Sequence, residues 1–169
     1  MHRLAARLTS VSTLALVATL ASSPLSAQAA AVYKPTQWLG AGFTSLSANG
    51  TSTTGFNVAY GMAYKKIYFN IATNVFSEGE TTANNDYQLG YLFLHRQTPG
   101  SKGGATGIGV TGGLWHPQEG DMSPMVSLNM FGALGKTSRL VGHVMLGEIF
   151  PGEGADPVMA FRVGLGFTL

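Results

Sequence analysis

Cysteine is absent from this chain, so no disulfide staples it and its N-terminal leader is not a lipoprotein signal. Charge is scarce as well. Asp, Glu, Lys and Arg make up 11% of the residues, against about 25% in a typical soluble protein. Something other than water therefore covers much of the surface. Ten Lys and Arg stand against eight Asp and Glu. Arg3 and Arg7 lie in the leader, so the remainder balances eight against eight and the net charge of +2 belongs to the leader. No basic stripe is left for nucleic acid. Long apolar runs are missing too: Val11 to Ala21, broken only by Ser and Thr, is short of the roughly 20 residues of a transmembrane helix.

What is present begins with a processing segment. Arg3 and Arg7 form a positive n-region, Val11 to Ala21 the apolar h-region, and Pro24 breaks the helix. Ala27-Gln28-Ala29 is a small-x-small cleavage site. The expected organisation is a signal peptide over 1–29 (cleavage after Ala31 is the alternative), a short N-terminal segment over 30–37, and one domain over 38–169.

Eight segments of strand character follow, at 38–47, 55–64, 66–76, 86–96, 105–115, 124–134, 140–149 and 158–168. Each has about the 9–11 residues that a tilted strand needs to cross a bilayer. Turn chemistry separates them: Asn49-Gly50 is a strong hairpin signal and Lys65-Lys66 a tight turn. Pro99-Gly100 with Gly103-Gly104 makes a looser connection, Gly135 to Ser138 a short one. Pro117 to Ser123 and Pro151 to Pro157 are longer and acidic. Acids gather around Glu78, Glu80 and Asp86, around Glu119 and Asp121, and around Glu148, Glu153 and Asp156. Bases gather at Lys34, Lys65-Lys66, Arg96 and Lys102, and Lys136 and Arg139. The clusters alternate along the chain, as they would in an up-and-down meander whose successive turns emerge at opposite poles.

Period-two alternation supports strands. Phe56, Val58, Tyr60, Met62 and Tyr64 share one face; Asn57, Ala59, Gly61 and Ala63 share the other. Ile67, Phe69, Ile71, Thr73 and Val75 oppose Tyr68, Asn70, Ala72 and Asn74. Met159, Phe161, Val163, Leu165 and Phe167 oppose Ala160, Arg162, Gly164 and Gly166. The second face of the fourth segment (Gln88, Gly90, Leu92, Leu94) is mixed, and the first and seventh segments have no clear phase. The non-apolar face is Gly, Ala, Asn, Ser, Thr and Gln, almost without charge. That is a poor solvated exterior and a good narrow interior. A membrane barrel has this inverted pattern, and its closure leaves no strand edge unpaired in lipid. The expected fold is therefore all-β, an eight-stranded antiparallel up-and-down transmembrane β-barrel. Trp38, Tyr64, Tyr87, Trp115, Phe150 and Phe167 lie near strand ends and suit interfacial girdles.

At this point residues 38–169 resemble the small eight-stranded outer-membrane barrels of the OmpA transmembrane domain and OmpX type. The ending Val163-Gly164-Leu165-Gly166-Phe167-Thr168-Leu169 looks like the C-terminal signal read by the barrel assembly machinery, with its aromatic two places earlier than usual. The resemblance implies the outer membrane of a Gram-negative bacterium, with both termini in the periplasm. The acidic loops would then lie outside the cell and the basic turns inside. It also implies outer-membrane lipid and lipopolysaccharide as surroundings, a monomer, and a non-enzymatic role in envelope integrity or surface interaction.

Candidate chemistry is thin. Glu148 and Arg162 are the charges inside the adjacent seventh and eighth segments, and if both face inward they form a lumenal ion pair. His116, Glu119 and Asp121 share an acidic loop beside Ser123. They offer oxygens and an imidazole to a divalent cation, or bridging to lipopolysaccharide, although loop carboxylates are usually just solvated. Gly107-x-Gly109-x-x-Gly112 matches a dinucleotide fingerprint in spelling, but it lies inside a strand with no helix to follow. A lipid-modifying enzyme needs Ser, His and an orienting acid within reach. His116 with Ser123, or His143 with a partner from another strand, are the candidates, and His143-Val144-Met145 does not match the His-x-Ser of lipid A deacylases. Tyr68, Trp115 and Phe131 face inward in this reading and occlude the axis of so narrow a barrel. No catalytic residue, cofactor or metal is assigned. A narrow pore, an outer-leaflet lipid-modifying enzyme and a soluble periplasmic barrel holding an apolar ligand are the alternative readings.

Overall fold

The computed structural model describes residues 34–77, 81–97, 105–135, 139–152 and 154–169. The leader over 1–29, residues 30–33, Glu78, Glu80, Lys102, Lys136, Glu153 and the Pro99-Gly100 and Gly103-Gly104 turn lie outside the described residues. Eight strands run in chain order: β1 Thr36–Ala48, β2 Thr51–Tyr64, β3 Ile67–Phe76, β4 Thr82–Gln97, β5 Ala105–His116, β6 Ser123–Ala133, β7 Leu140–Ile149 and β8 Val158–Thr168. Each pairs antiparallel with the next, and β8 returns to pair with β1 from Trp38↔Thr168 to Ser47↔Met159. The result is a closed barrel with no free edge.

Turn chemistry sets the hairpins. Asn49 and Gly50 both take positive φ (51° and 77°), as a two-residue type I′ turn requires, and they join Ala48 directly to Thr51. Strands β2 and β4 accordingly start earlier than their hydrophobic patterns do, at Thr51 and Thr82 rather than at 55 and 86. The added residues are Thr, Ser, Ala and Asn. Backbone pairing continues there beyond the apolar belt, where neither face is strongly selected and the alternation fades.

The mixed face of β4 has a local cause. Its register with β5 shifts between Leu92 and Leu94, so Phe93 is an extra residue in a β-bulge. Phe93 and Leu94 both point outward, Leu92 is fully buried, and His95 lies opposite Gly107. The two unphased strands also resolve. In β1, Trp38, Thr44 and Leu46 face inward; in β7, Val141, His143, Met145 and Ile149 do so.

The outward face is apolar: Phe56 is 65% exposed, Phe167 64% and Leu89 61%. The inside is filled in three tiers. Nearest the termini is a cluster of Trp38, Tyr68, Leu92, Phe131 and Val141 with small alanines. Nearest the acidic loops is a second, of Phe76, Trp115, Met125, Met145, Ile149 and Ala160. Polar side chains lie between. Large inward rings sit opposite inward glycines: Trp38↔Gly61, Phe76↔Gly55, Phe131↔Gly107 and His143↔Gly164. A β-carbon on Gly61 would meet the Trp38 ring at 2.2 Å, and one on Gly107 the Phe131 ring at 2.4 Å. These glycines exist to admit a ring, the cross-strand device that lets a narrow barrel hold large side chains.

Candidate functional site: a buried ion pair in the lumen

Arg162 stands on the inward face of β8, between Ala160 and Gly164. Asp86 stands on the inward face of β4, in phase with Gln88. They meet across the lumen in a salt bridge between Arg162 Nη2 and Asp86 Oδ2, with exposures of 1% and 0%. Burying two charges is costly unless further hydrogen bonds complete the pair; here they reach both carboxylate oxygens and both terminal guanidinium nitrogens, while Arg162 Nε is buried without a partner among the described residues. Gln88 Nε2 donates to Asp86 Oδ1 at 2.7 Å, and Asn74 Nδ2 to Oδ2 at 2.9 Å. Arg162 Nη1 donates to Asn70 Oδ1 at 3.1 Å, and Nη2 to Asn74 Oδ1 at 3.3 Å. Thr44 Oγ1 donates to Asn74 Oδ1 at 2.7 Å and accepts from Asn57 Nδ2 at 3.1 Å.

Gln88 extends this network to the opposite wall. Its Oε1 faces the Thr111 hydroxyl at 2.9 Å, the Ser127 hydroxyl at 2.8 Å and Asn129 Nδ2 at 3.0 Å. Every strand but β7 thus contributes a polar side chain to one connected cluster, and β7 closes the circle with Met145 and His143. His143 stacks on Trp38 at 4.5 Å between ring centroids. The arrangement is a strut: a charge pair tied into opposing walls, capped at both ends by aromatic and aliphatic side chains. It offers no activated nucleophile.

Several sequence expectations need correction. Arg162 faces the lumen as expected, but its partner is Asp86, not Glu148. The period of two places Glu148 between the inward Gly147 and Ile149, hence on the outer face, in register with Met159 and Val126. In sequence Asp86 groups with the acidic loop, because the hydrophobic pattern of β4 begins there. Its phase with Gln88 and its place among uncharged lumen residues were the signals that mark it as the counter-ion. Trp38 and Trp115 are not girdle residues; they face inward, 1% and 5% exposed. Tyr64, Phe150 and Phe167 are exposed, and Tyr87 packs on the Tyr60 and Ile71 cluster.

Tyr68, Trp115 and Phe131 do fill the axis, at 2%, 5% and 3% exposure. Gly107 and Gly109 lie inside β5 and face inward, while Gly112 faces outward. The strand runs on to His116, so there is no helix terminus for a phosphate. Glu119 and Asp121 are exposed and His116 half-buried. Among the described residues no three His, Asp or Glu side chains come close enough to hold a metal ion. Within the same residues His116 and Ser123 share no hydrogen bond, and His143 Nε2 is buried without a partner.

No protein-family model matches the chain, and no curated protein matches it. Among solved structures, the chain is similar to the N-terminal β-barrel domain of Pseudomonas aeruginosa OprF, with a TM-score of 0.49 and 10% identity over 80% of this chain and 97% of that one. The strand register of this chain by itself closes the eight-stranded barrel.

Proposed function

We propose that the chain is an exported protein, cleaved after Ala29, whose mature part is a small integral barrel of the outer membrane of a Gram-negative bacterium. Its role is to add a rigid, sealed, non-enzymatic element to the envelope, with acidic loops for surface interaction. The observation that carries this is the inversion of the wall. Arg162 and Asp86 are 1% and 0% exposed inside, while Phe56, Leu89 and Phe167 are more than half exposed outside. Contiguous apolar surface of that extent is an aggregation hazard in water and a good match for lipid. The two aromatic and aliphatic tiers flanking a densely hydrogen-bonded polar network favour a closed barrel over a pore. Lipid and lipopolysaccharide are its surroundings, the barrel assembly machinery inserts it, and it works as a monomer.

The test is electrophoresis of the envelope fraction with and without boiling in detergent, followed by planar-bilayer recording. A heat-dependent shift with no steady conductance is expected. Extraction into buffer without any shift would overturn the membrane reading in favour of a soluble ligand carrier. A shift with stable unitary conductance would replace the closed barrel with a pore.

A further inference from the structure

Glu148 is the only carboxylate on the outward face of a strand among the described residues. It makes no hydrogen bond or ion pair within them, and its cross-strand neighbours are Val126 and Met159. Phe150, 38% exposed, follows two positions on, so the carboxylate lies within the apolar belt rather than beyond it. It borders a shallow outer groove of about 500 Å³ formed with Gly112, Val126, Leu128, Leu146 and Met159. Gly112 is why the groove exists. It points outward, and a β-carbon there would meet nothing within 4 Å.

An ionisable group facing lipid is costly, and it calls for a partner of opposite charge. Among the described residues none pairs with it, so the cation comes from outside. The trough beside the carboxylate is apolar, so that cation carries a hydrocarbon part. We propose that this groove seats one amine-bearing membrane lipid, its ammonium headgroup against the Glu148 carboxylate and an acyl chain in the trough beside Gly112. The proposal rests on the membrane reading above.

The test is native mass spectrometry of the full mature barrel released from mixed bilayers of phosphatidylethanolamine, phosphatidylglycerol and phosphatidylcholine. Each variant is first checked for the heat-dependent gel shift. Wild type should retain one phosphatidylethanolamine. Glu148→Gln should lower that retention about tenfold, the loss of one charge-assisted hydrogen bond. Gly112→Leu, which fills the trough and keeps the charge, should lower it as well, and Glu119→Gln in the loop should not. Wild-type retention of phosphatidylglycerol to the same degree, or unchanged retention in Glu148→Gln, would overturn the groove while leaving the inserted barrel intact. Failure of the wild type to insert would overturn both readings, and the gel separates that outcome from the others.

Discussion

The Arg162–Asp86 pair predicts an asymmetry between its two single replacements. Asp86→Ala strands a guanidinium that cannot lose its proton, in a site of about 1% exposure. Asn70 and Asn74 oxygens remain as its acceptors, but neither carries charge. The expected loss is about 3–5 kcal/mol, the cost of an uncompensated buried ion. Arg162→Met should cost less, about 2–3 kcal/mol, because the carboxylate keeps Gln88 and Asn74 as donors. The double replacement leaves only neutral amides short of partners and should cost about 2–4 kcal/mol. That is a coupling of about 3 kcal/mol, near the top of what contacting pairs show. The assay is reversible urea unfolding in lipid vesicles, followed by tryptophan emission. The two tryptophans, Trp38 and Trp115, sit in the two tiers that flank the pair. The cycle Glu148→Gln with Arg162→Met is the control and should be additive, since the two side chains lie on opposite faces of the wall. Additive losses for Asp86 and Arg162, or coupling between Glu148 and Arg162, would refute the reasoning.

Two further outcomes test the wall itself. Val163→Arg, on the outward face of β8, should cost about 2–4 kcal/mol in folding free energy if it lies near the bilayer midplane; an unchanged value in lipid would mean the facing is reversed. Gly61→Val should cost about 1–3 kcal/mol by overpacking against Trp38 and shift its emission. Gly112→Ala, with open space around it, should change stability by less than about 0.5 kcal/mol, and equal effects at the two glycines would contradict the ring-on-glycine packing.

The number of strands, their order and the facing of β2, β3 and β8 were legible because each depends on residue class at a period of two. Phe56, Ile67 and Val163 announce the outer face without reference to any other strand. The lumen was less legible because its contents are decided by pairs far apart in sequence. Asp86 and Arg162 are separated by 76 positions, and only closure of the barrel brings them together. Glu148 lies closer to Arg162 in sequence and on an adjacent strand, which made it the attractive partner. The pleat excludes it, because one position of phase moves a side chain to the other face. Trp38 misled for a related reason. A tryptophan near a strand end suits a girdle by residue type, and the glycine that makes room for Trp38 is on another strand.

The same dependence on phase explains what a buried pair does for a fold that a fully apolar core would hold at least as well. Much of this lumen is glycine, alanine and short polar residues, which specify register weakly. A slip of β8 by one residue would carry Arg162 to the outer face, where in lipid it costs about 2–4 kcal/mol near the midplane. The slip would also leave Asp86 buried with no counter-ion, a further loss of about 2–3 kcal/mol, as in Arg162→Met. The rings add a second lock, because a displaced β7 or β8 would bring the His143 ring against a position other than Gly164, the residue that admits it. Charge and shape therefore penalise the same error from opposite sides of the wall. The pair's contribution is to make one register of a glycine-rich barrel far better than its neighbours.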